Sequence, residues 1–212
     1  MPLALLGLAY LLGSIPTSYW VGKGVYGIDL RERGSGNLGA TNALRVLGPR
    51  AAVPVMFVDI AKGWLPVWLF PRLDGEGAWA WALAYGAAAL LGHVFSIWVR
   101  FRGGKGIATS TGIFIALAPA AVVAAFVAWG LVLWITRMVS LASVVAAVVL
   151  PVVVFWTARG ENLVLPAFTA ALSLFVIWAH RENLRRILAG TESRIGRGDE
   201  GNAVSSGRRV SP

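Results

Sequence analysis

No cysteine occurs among the 212 residues. That excludes disulfides, cysteine-ligated zinc or iron–sulfur sites and a thioester intermediate on the chain. Histidine occurs only twice, as His93 and His180. No second histidine and no ladder of Asp and Glu accompanies either one, so no metal site is expected. Charge is scarce at 14%, while hydrophobic residues make up 57% of the chain. A soluble domain this apolar would be poorly solvated, and an integral membrane protein is expected. No basic stretch precedes the first apolar run, and residues 2–21 are long enough to span, so a cleavable signal peptide is not expected. The net charge of +9 fits juxtamembrane anchoring, and no nucleic acid partner is expected.

Clear apolar runs cover residues 3–21, 51–70, 78–99, 139–156 and 163–179. Each approaches the roughly 20 residues that a helix needs to cross a bilayer. Residues 107–136 form either one long tilted helix or two shorter ones broken at Pro119. The distribution of basic residues decides between them. With two helices, every Lys and Arg except Arg72, Arg159 and Lys62 falls on the cytoplasmic side, which is 16 of 19. With one helix, the cluster from His180 to Arg186 would face away from the other polar stretches. The expectation is therefore an all-α integral membrane protein of seven transmembrane helices, N-terminus outside and C-terminus cytoplasmic. Its fourth span, about 107–118, is short. Trp20, Trp98, Trp134 and Trp178 fall at inner ends and Trp68, Trp79, Trp81 and Trp156 at outer ends, as two interfacial belts would. No internal repeat suggests an inverted-repeat transporter. Residues 1–195 form the membrane domain, and 196–212 read as a basic, disordered cytoplasmic tail.

Three polar islands interrupt this apolar chain. The first, Gly34-Ser35-Gly36-Asn37-Leu38-Gly39-Ala40-Thr41-Asn42, contains the glycine spacing of a dinucleotide site. A membrane span precedes it where a strand would be required, so that reading is weak. The glycines still let backbone N–H groups turn toward an anion. Thr41, Asn42 and Arg45 are spaced to share one face of a short helix. The second island runs from Gly92-His93 to Arg102-Gly103-Gly104-Lys105-Gly106. It is not a nucleotide-binding P-loop, because Gly106 stands where Ser or Thr should hold magnesium. A lysine among glycines that opens a helix nevertheless suits an anion. In the third island, His180 and Asn183 are three residues apart and share a helical face, with Glu182 off that face beside basic neighbours. Asp59 and Lys62 lie within a span, where charged groups are paired. They are expected to form a structural pair supporting the site.

Together the islands resemble the bacterial acyl-phosphate:glycerol-3-phosphate acyltransferase family. The matching stretches are Ser35-Gly36-Asn37-x-Gly39-x-Thr41-Asn42-x-x-Arg45 and Asp59-x-x-Lys62-Gly63. They continue as Gly92-His93 through Phe101-x-Gly103-Gly104-Lys105-Gly106-x-Ala108-Thr109, and His180-x-Glu182-Asn183 followed by Gly190-Thr191-Glu192. The resemblance covers about residues 1–195. One departure is Ser96, where the family usually carries proline, which bears on the helix geometry after His93. The resemblance implies a multi-pass enzyme of the bacterial inner or plasma membrane with its active site on the cytoplasmic face. It implies acyl transfer from acyl phosphate to the 1-hydroxyl of glycerol 3-phosphate, giving lysophosphatidic acid and phosphate. No metal, no cofactor and no obligate protein partner is expected. Catalytic roles fall to Ser35, Arg45, Lys105, His180 and Asn183. Substrate binding falls to Gly36, Asn37, Gly39, Thr41, Asn42, His93, Gly103, Gly104, Gly106 and Glu182. Arg45 and Lys105 would neutralise phosphates, and the glycine amides would hold the donor phosphate and the developing oxyanion. His180 and a substrate phosphate oxygen remain alternative proton acceptors. The acyl chain would lie in a lateral groove between spans. The main rival is a transporter or flippase for an anionic lipid, which would need a path through the bilayer.

Overall fold

The computed structural model describes residues 1–75, 79–158 and 163–195, and the expected basic tail lies outside them. Its ordered elements are helices. In chain order they are α1 (Pro2–Ser14), α2 (Thr17–Val25), α3 (Ala40–Leu47), α4 (Pro49–Leu73) and α5 (Trp79–Val94). Next come a 3-10 turn at Ile97–Val99, α6 (Ile107–Leu117), α7 (Pro119–Thr136), α8 (Val139–Thr157), α9 (Val164–Ala179) and α10 (Arg181–Leu188). Helices α4, α7 and α8 are each long and apolar enough to cross a membrane, as is the continuous segment Trp79–Val99. Two bent pairs, α1 with α2 and α9 with α10, bring the number of crossings to as many as six. Helix α6 is apolar and shorter.

Residues 107–136 form two helices, the break falling at Ala118, whose backbone leaves the helical region (φ −152°, ψ 65°) before Pro119. The first span departs from expectation. Residues 3–21 are not one helix: α1 stops at Ser14, and α2 restarts at Thr17 after a 43° bend. A break inside an apolar helix pair leaves carbonyls without helical partners, and burial away from water offers them none. Here side chains satisfy them. Lys62 Nζ donates to the Ile15 carbonyl at 2.7 Å, and Ser96 Oγ donates to the Ser14 carbonyl. Ser96 therefore closes the end of α1 while initiating the 3-10 turn after α5. The charge on Lys62 is balanced by Asp59 at 2.7 Å, and Thr17 Oγ1 donates to the same carboxylate oxygen. Both members of the pair are buried.

Helices in lipid gain little from apolar contact alone, so close approach through small residues carries much of their association. Two crossings show this. A Cβ on Gly112 of α6 would lie 1.9 Å from the Ile60 carbonyl oxygen of α4, and one on Gly63 would lie 2.1 Å from that of Thr109. Gly13 of α1 and Gly92 of α5 form the equivalent pair against Ala89 and Tyr10. Helix α6 thus packs mainly on α4, whereas α7 packs mainly on α8.

The crossings give a stability test. Gly112→Ala should destabilise the protein in detergent by about 1–3 kcal/mol, the range for overpacking a core. Gly130→Ala, where a Cβ meets nothing within 4 Å, should leave the midpoint unchanged or raise it. Thermal unfolding of both variants checks the ordering.

Candidate active site

The three islands converge on one cavity of about 810 Å³. Its polar end is built from the loop before α3, the loop before α6 and the junction of α9 with α10.

The first loop is held by Asn42. Its side-chain amide donates to the Leu30 and Arg33 carbonyls at 3.1 Å each, and its Oδ1 accepts the Ser35 N–H at 2.9 Å. Asn42 is buried, and its polar atoms are occupied in shaping the loop. Ser35, Asn37, Gly39, Thr41 and Arg45 line the cavity around it. Thr41 and Arg45 both lie on α3, as their spacing suggested, and both are exposed. Gly36 is not among the lining residues, and its amide donates to the Arg33 carbonyl.

The second loop rests on His93. The amides of Gly103 and Gly104 donate to the carbonyls of Val94 and His93 at 3.0 and 3.1 Å. A Cβ on Gly104 would lie 2.1 Å from His93 Nε2. Gly104 is required because the loop lies against the imidazole, and Gly103 because its Cβ would lie 2.0 Å from the His93 carbonyl oxygen. Their amides are already used, which corrects the expectation that they bind phosphate. His93 Nδ1 is buried without a hydrogen bond among the described residues, 3.9 Å from the Asp59 carboxylate. The Asp59–Lys62 pair thus stands behind His93, and His93 behind the loop that carries Lys105. Gly106 takes the left-handed conformation (φ 84°) at the cap of α6 and lines the cavity.

At the third island, the His180 carbonyl caps α10, and its ring Nδ1 lies 2.8 Å from the Val176 carbonyl oxygen. A carbonyl only accepts, so Nδ1 carries the proton and Nε2 is left as the acceptor of the neutral ring. Asn183 bridges the islands: its Oδ1 accepts from Lys105 Nζ, and its Nδ2 donates to Glu192 Oε1 at 2.6 Å. Arg186 Nε donates to the other Glu192 oxygen at 2.7 Å. Glu182 does not join this group. It points outward, paired with Arg185 at 2.7 Å, and is not among the cavity-lining residues. The sequence reading gave no role to Arg186 or Glu192. The signal was present, since His180, Asn183 and Arg186 continue one three-residue spacing along a single helical face.

The electrostatics favour anions. Arg45, Lys105 and Arg186 line the cavity with Glu192 as their partial counter-charge. Burial, with Arg186 nearby, pulls the Lys105 ammonium down from 10.5 to about 8. The N-terminal ends of α3 and α6 also face the cavity, through Ala40 with Thr41 and Ile107 with Ala108. Unpaired first-turn amides and the helix dipole at such ends favour negative charge. Beyond this polar end the lining becomes mainly apolar, with Phe114, Val122, Trp129, Leu150 and Leu172, interspersed with Ser143 and Ser173. One end of the cavity suits phosphate and the other suits hydrocarbon. No group of three or more His, Cys, Asp or Glu with metal-holding geometry occurs among the described residues.

Comparison with known proteins agrees with this geometry. The glycerol-3-phosphate acyltransferase family profile matches residues 3–190. A glycerol-3-phosphate acyltransferase of Synechococcus sp. (strain JA-2-3B'a(2-13)) is 49% identical over 194 residues, covering 92% of this chain and 94% of that protein. One from Halalkalibacterium halodurans is 43% identical over 195 residues, covering 91% and 94%. The crystal structure of PlsY (YgiH), an integral membrane glycerol 3-phosphate acyltransferase, in its glycerol 3-phosphate form superposes with a TM-score of 0.82 at 38% identity. That match covers 92% of this chain and 96% of that one. The lysophosphatidic acid form gives 0.80 at 37% identity. A membrane cavity with a cationic mouth and an apolar interior, on a chain matched along nearly its whole length, belongs to the glycerol-3-phosphate acyltransferase family, as an integral membrane enzyme of the PlsY type.

Proposed function

We propose that this enzyme transfers a fatty acyl group from acyl phosphate to the 1-hydroxyl of glycerol 3-phosphate, releasing lysophosphatidic acid and inorganic phosphate. The observation that carries the reading is a single cavity with several phosphate-suited groups at one end and an apolar recess at the other. Both substrates carry phosphate, and the donor alone carries a long hydrocarbon. Arg45, Lys105 and Arg186 neutralise the phosphates, and the free first-turn amides of α3 and α6 supply neutral donors. The solved relative captured with glycerol 3-phosphate and with lysophosphatidic acid supports acceptor and product of these classes.

The chemistry needs no covalent enzyme intermediate. The glycerol oxygen attacks the acyl carbonyl carbon, the bond from that carbon to the phosphate oxygen breaks, and phosphate leaves. The hydroxyl proton passes to His180 Nε2 or to an oxygen of the leaving phosphate. Ser35 and Lys105 stabilise the developing oxyanion, and Asn183 fixes Lys105.

In the membrane the chain crosses seven times, with α6 as the short fourth span, the N-terminus outside and the site facing the cytoplasm. Several observations support this arrangement. All three islands meet at one end of the bundle, and that end carries most of the basic residues. A transporter would need polar groups continuing through the bundle, whereas here the deep end of the cavity is apolar. The enzyme would act at the inner leaflet of a bacterial plasma membrane, in the first acylation of phospholipid synthesis.

Purified protein given palmitoyl phosphate and glycerol 3-phosphate should release phosphate and form the monoacyl product; formation with acyl-CoA alone would remove acyl phosphate as donor. Lys105→Ala should lower kcat/KM by about 10²–10³, the range for losing one group that stabilises developing charge. Lys105 works as the ammonium, and its free-enzyme value is about 8. The kcat/KM profile should therefore fall as pH rises through about 8, and Lys105→Arg should abolish that limb. Because the chain lacks cysteine, single-cysteine labelling reports topology directly. Arg33→Cys, Arg102→Cys and Leu188→Cys should label from the cytoplasm, and Arg72→Cys and Thr157→Cys from outside. External labelling of any of the first three would break the one-face arrangement.

A further inference from the structure

The apolar part of the cavity has a floor. Phe114 on α6, Val122 on α7, Leu150 on α8 and Leu172 on α9 are the lining residues farthest along each helix from the polar end. All four belong to one packed cluster. Behind them stand the buried side chain of Val154 and the ring of Phe168, whose centroid is 6.3 Å from that of Phe114. Phe114 is 1% and Leu150 9% exposed, so the layer is closed rather than a fringe of lipid-facing chains.

The depth follows from helix rise. From Ile107 to Phe114, His180 to Leu172 and Val139 to Leu150, the wall descends about 10, 12 and 16 Å at about 1.5 Å per residue. That is roughly half of the about 30 Å hydrocarbon thickness of a bilayer. The recess is therefore about as deep as one leaflet. Small side chains, Ala125 on α7 and Ala147 on α8, line its walls and keep it open. One flank of α7 meets lipid, where the lining residue Phe126 is 67% exposed, so a chain enters sideways from the leaflet.

We propose that this cavity is a length gauge for the acyl donor. A chain that spans one leaflet, bent as it is in a bilayer, fills it from the phosphate groups to the Phe114–Leu150 floor, and a longer chain meets packed side chains. The inference rests on the acyl-transfer reading above and adds the residues that set chain-length preference. Floor residues determine the longest chain accepted, and the alanines determine whether the full depth is usable. A methylene that fits or fails to fit an apolar pocket changes selectivity by roughly 10–200-fold, so the effect is measurable.

The test is competition between lauroyl, palmitoyl and arachidoyl phosphates in one reaction with glycerol 3-phosphate, products resolved by mass spectrometry. A ratio taken within one mixture is independent of the fraction of active enzyme. The wild type should prefer palmitoyl over arachidoyl. Phe114→Ala or Leu150→Ala should raise the arachidoyl-to-palmitoyl ratio about tenfold. Ala147→Phe should lower the palmitoyl-to-lauroyl ratio by a similar factor. Ala147→Leu and Leu150→Ala serve where a larger change prevents folding. Wild-type turnover with ratios unmoved in both directions would overturn the gauge alone. No product from any acyl phosphate with the wild type would overturn the acyl-transfer reading and the gauge with it.

Discussion

Lys62 carries the constraint from which much of the polar end of the cavity follows. The first apolar stretch breaks at Pro16, and a buried break cannot leave a carbonyl unpaired. Lys62 supplies the missing donor to Ile15, but a buried ammonium must itself be balanced. Asp59 provides the opposite charge. Its carboxylate lies beside His93, and the loop of Gly103 and Gly104 lies on His93. Lys105 emerges from that loop to meet Asn183. A defect repaired in the first helix is thus connected, contact by contact, to the ammonium that lines the cavity.

The site separates two tasks between two kinds of material. Loops and helix ends supply charge and donors where water reaches them, and four helices supply an apolar recess. Glu192 is the exception among the cations. It joins Asn183 and Arg186 and leaves the mouth less cationic than its basic residues alone would make it. A mouth with unbalanced cations would retain phosphate product strongly. A carboxylate in the network offsets that retention while keeping the cations in position.

The sequence was most informative where one residue type had one physical meaning. Pro119 after a long apolar run, together with the sidedness of basic residues, was enough to divide α6 from α7. Pro16 was silent because proline does not by itself break a membrane helix. Pro54, Pro66 and Pro71 lie within α4, and Pro151 lies within α8, without ending either. What distinguishes Pro16 is the distant Lys62, and no local pattern reveals that contact. The islands were correctly grouped, and Ser35, Arg45, Lys105, His180 and Asn183 all line the cavity. Direction was harder to read than location. Glycine spacing in Gly103-Gly104 signalled close approach, but the approaching groups are the backbone carbonyl and ring of His93 rather than an anion. Asn42 has the chemistry of a ligand and the contacts of a brace. Glu182 and Glu192 are equally plausible as letters. Only the left-handed turn at Gly190 (φ 71°) brings the second back to the site.

That turn brings the residues after Gly190 back to the mouth of the cavity. Glu192, Ser193 and Ile195 line the cavity, and the Ile195 amide is held by the Arg137 carbonyl at 2.8 Å. A chain emerging from the ribosome can insert its earlier helices long before these residues exist. Its cations then lack their carboxylate partner, and the cavity lacks a wall. Anion binding therefore matures only once these residues have been made and have turned back, and a chain cut short before Glu192 can occupy the membrane with the cavity incomplete.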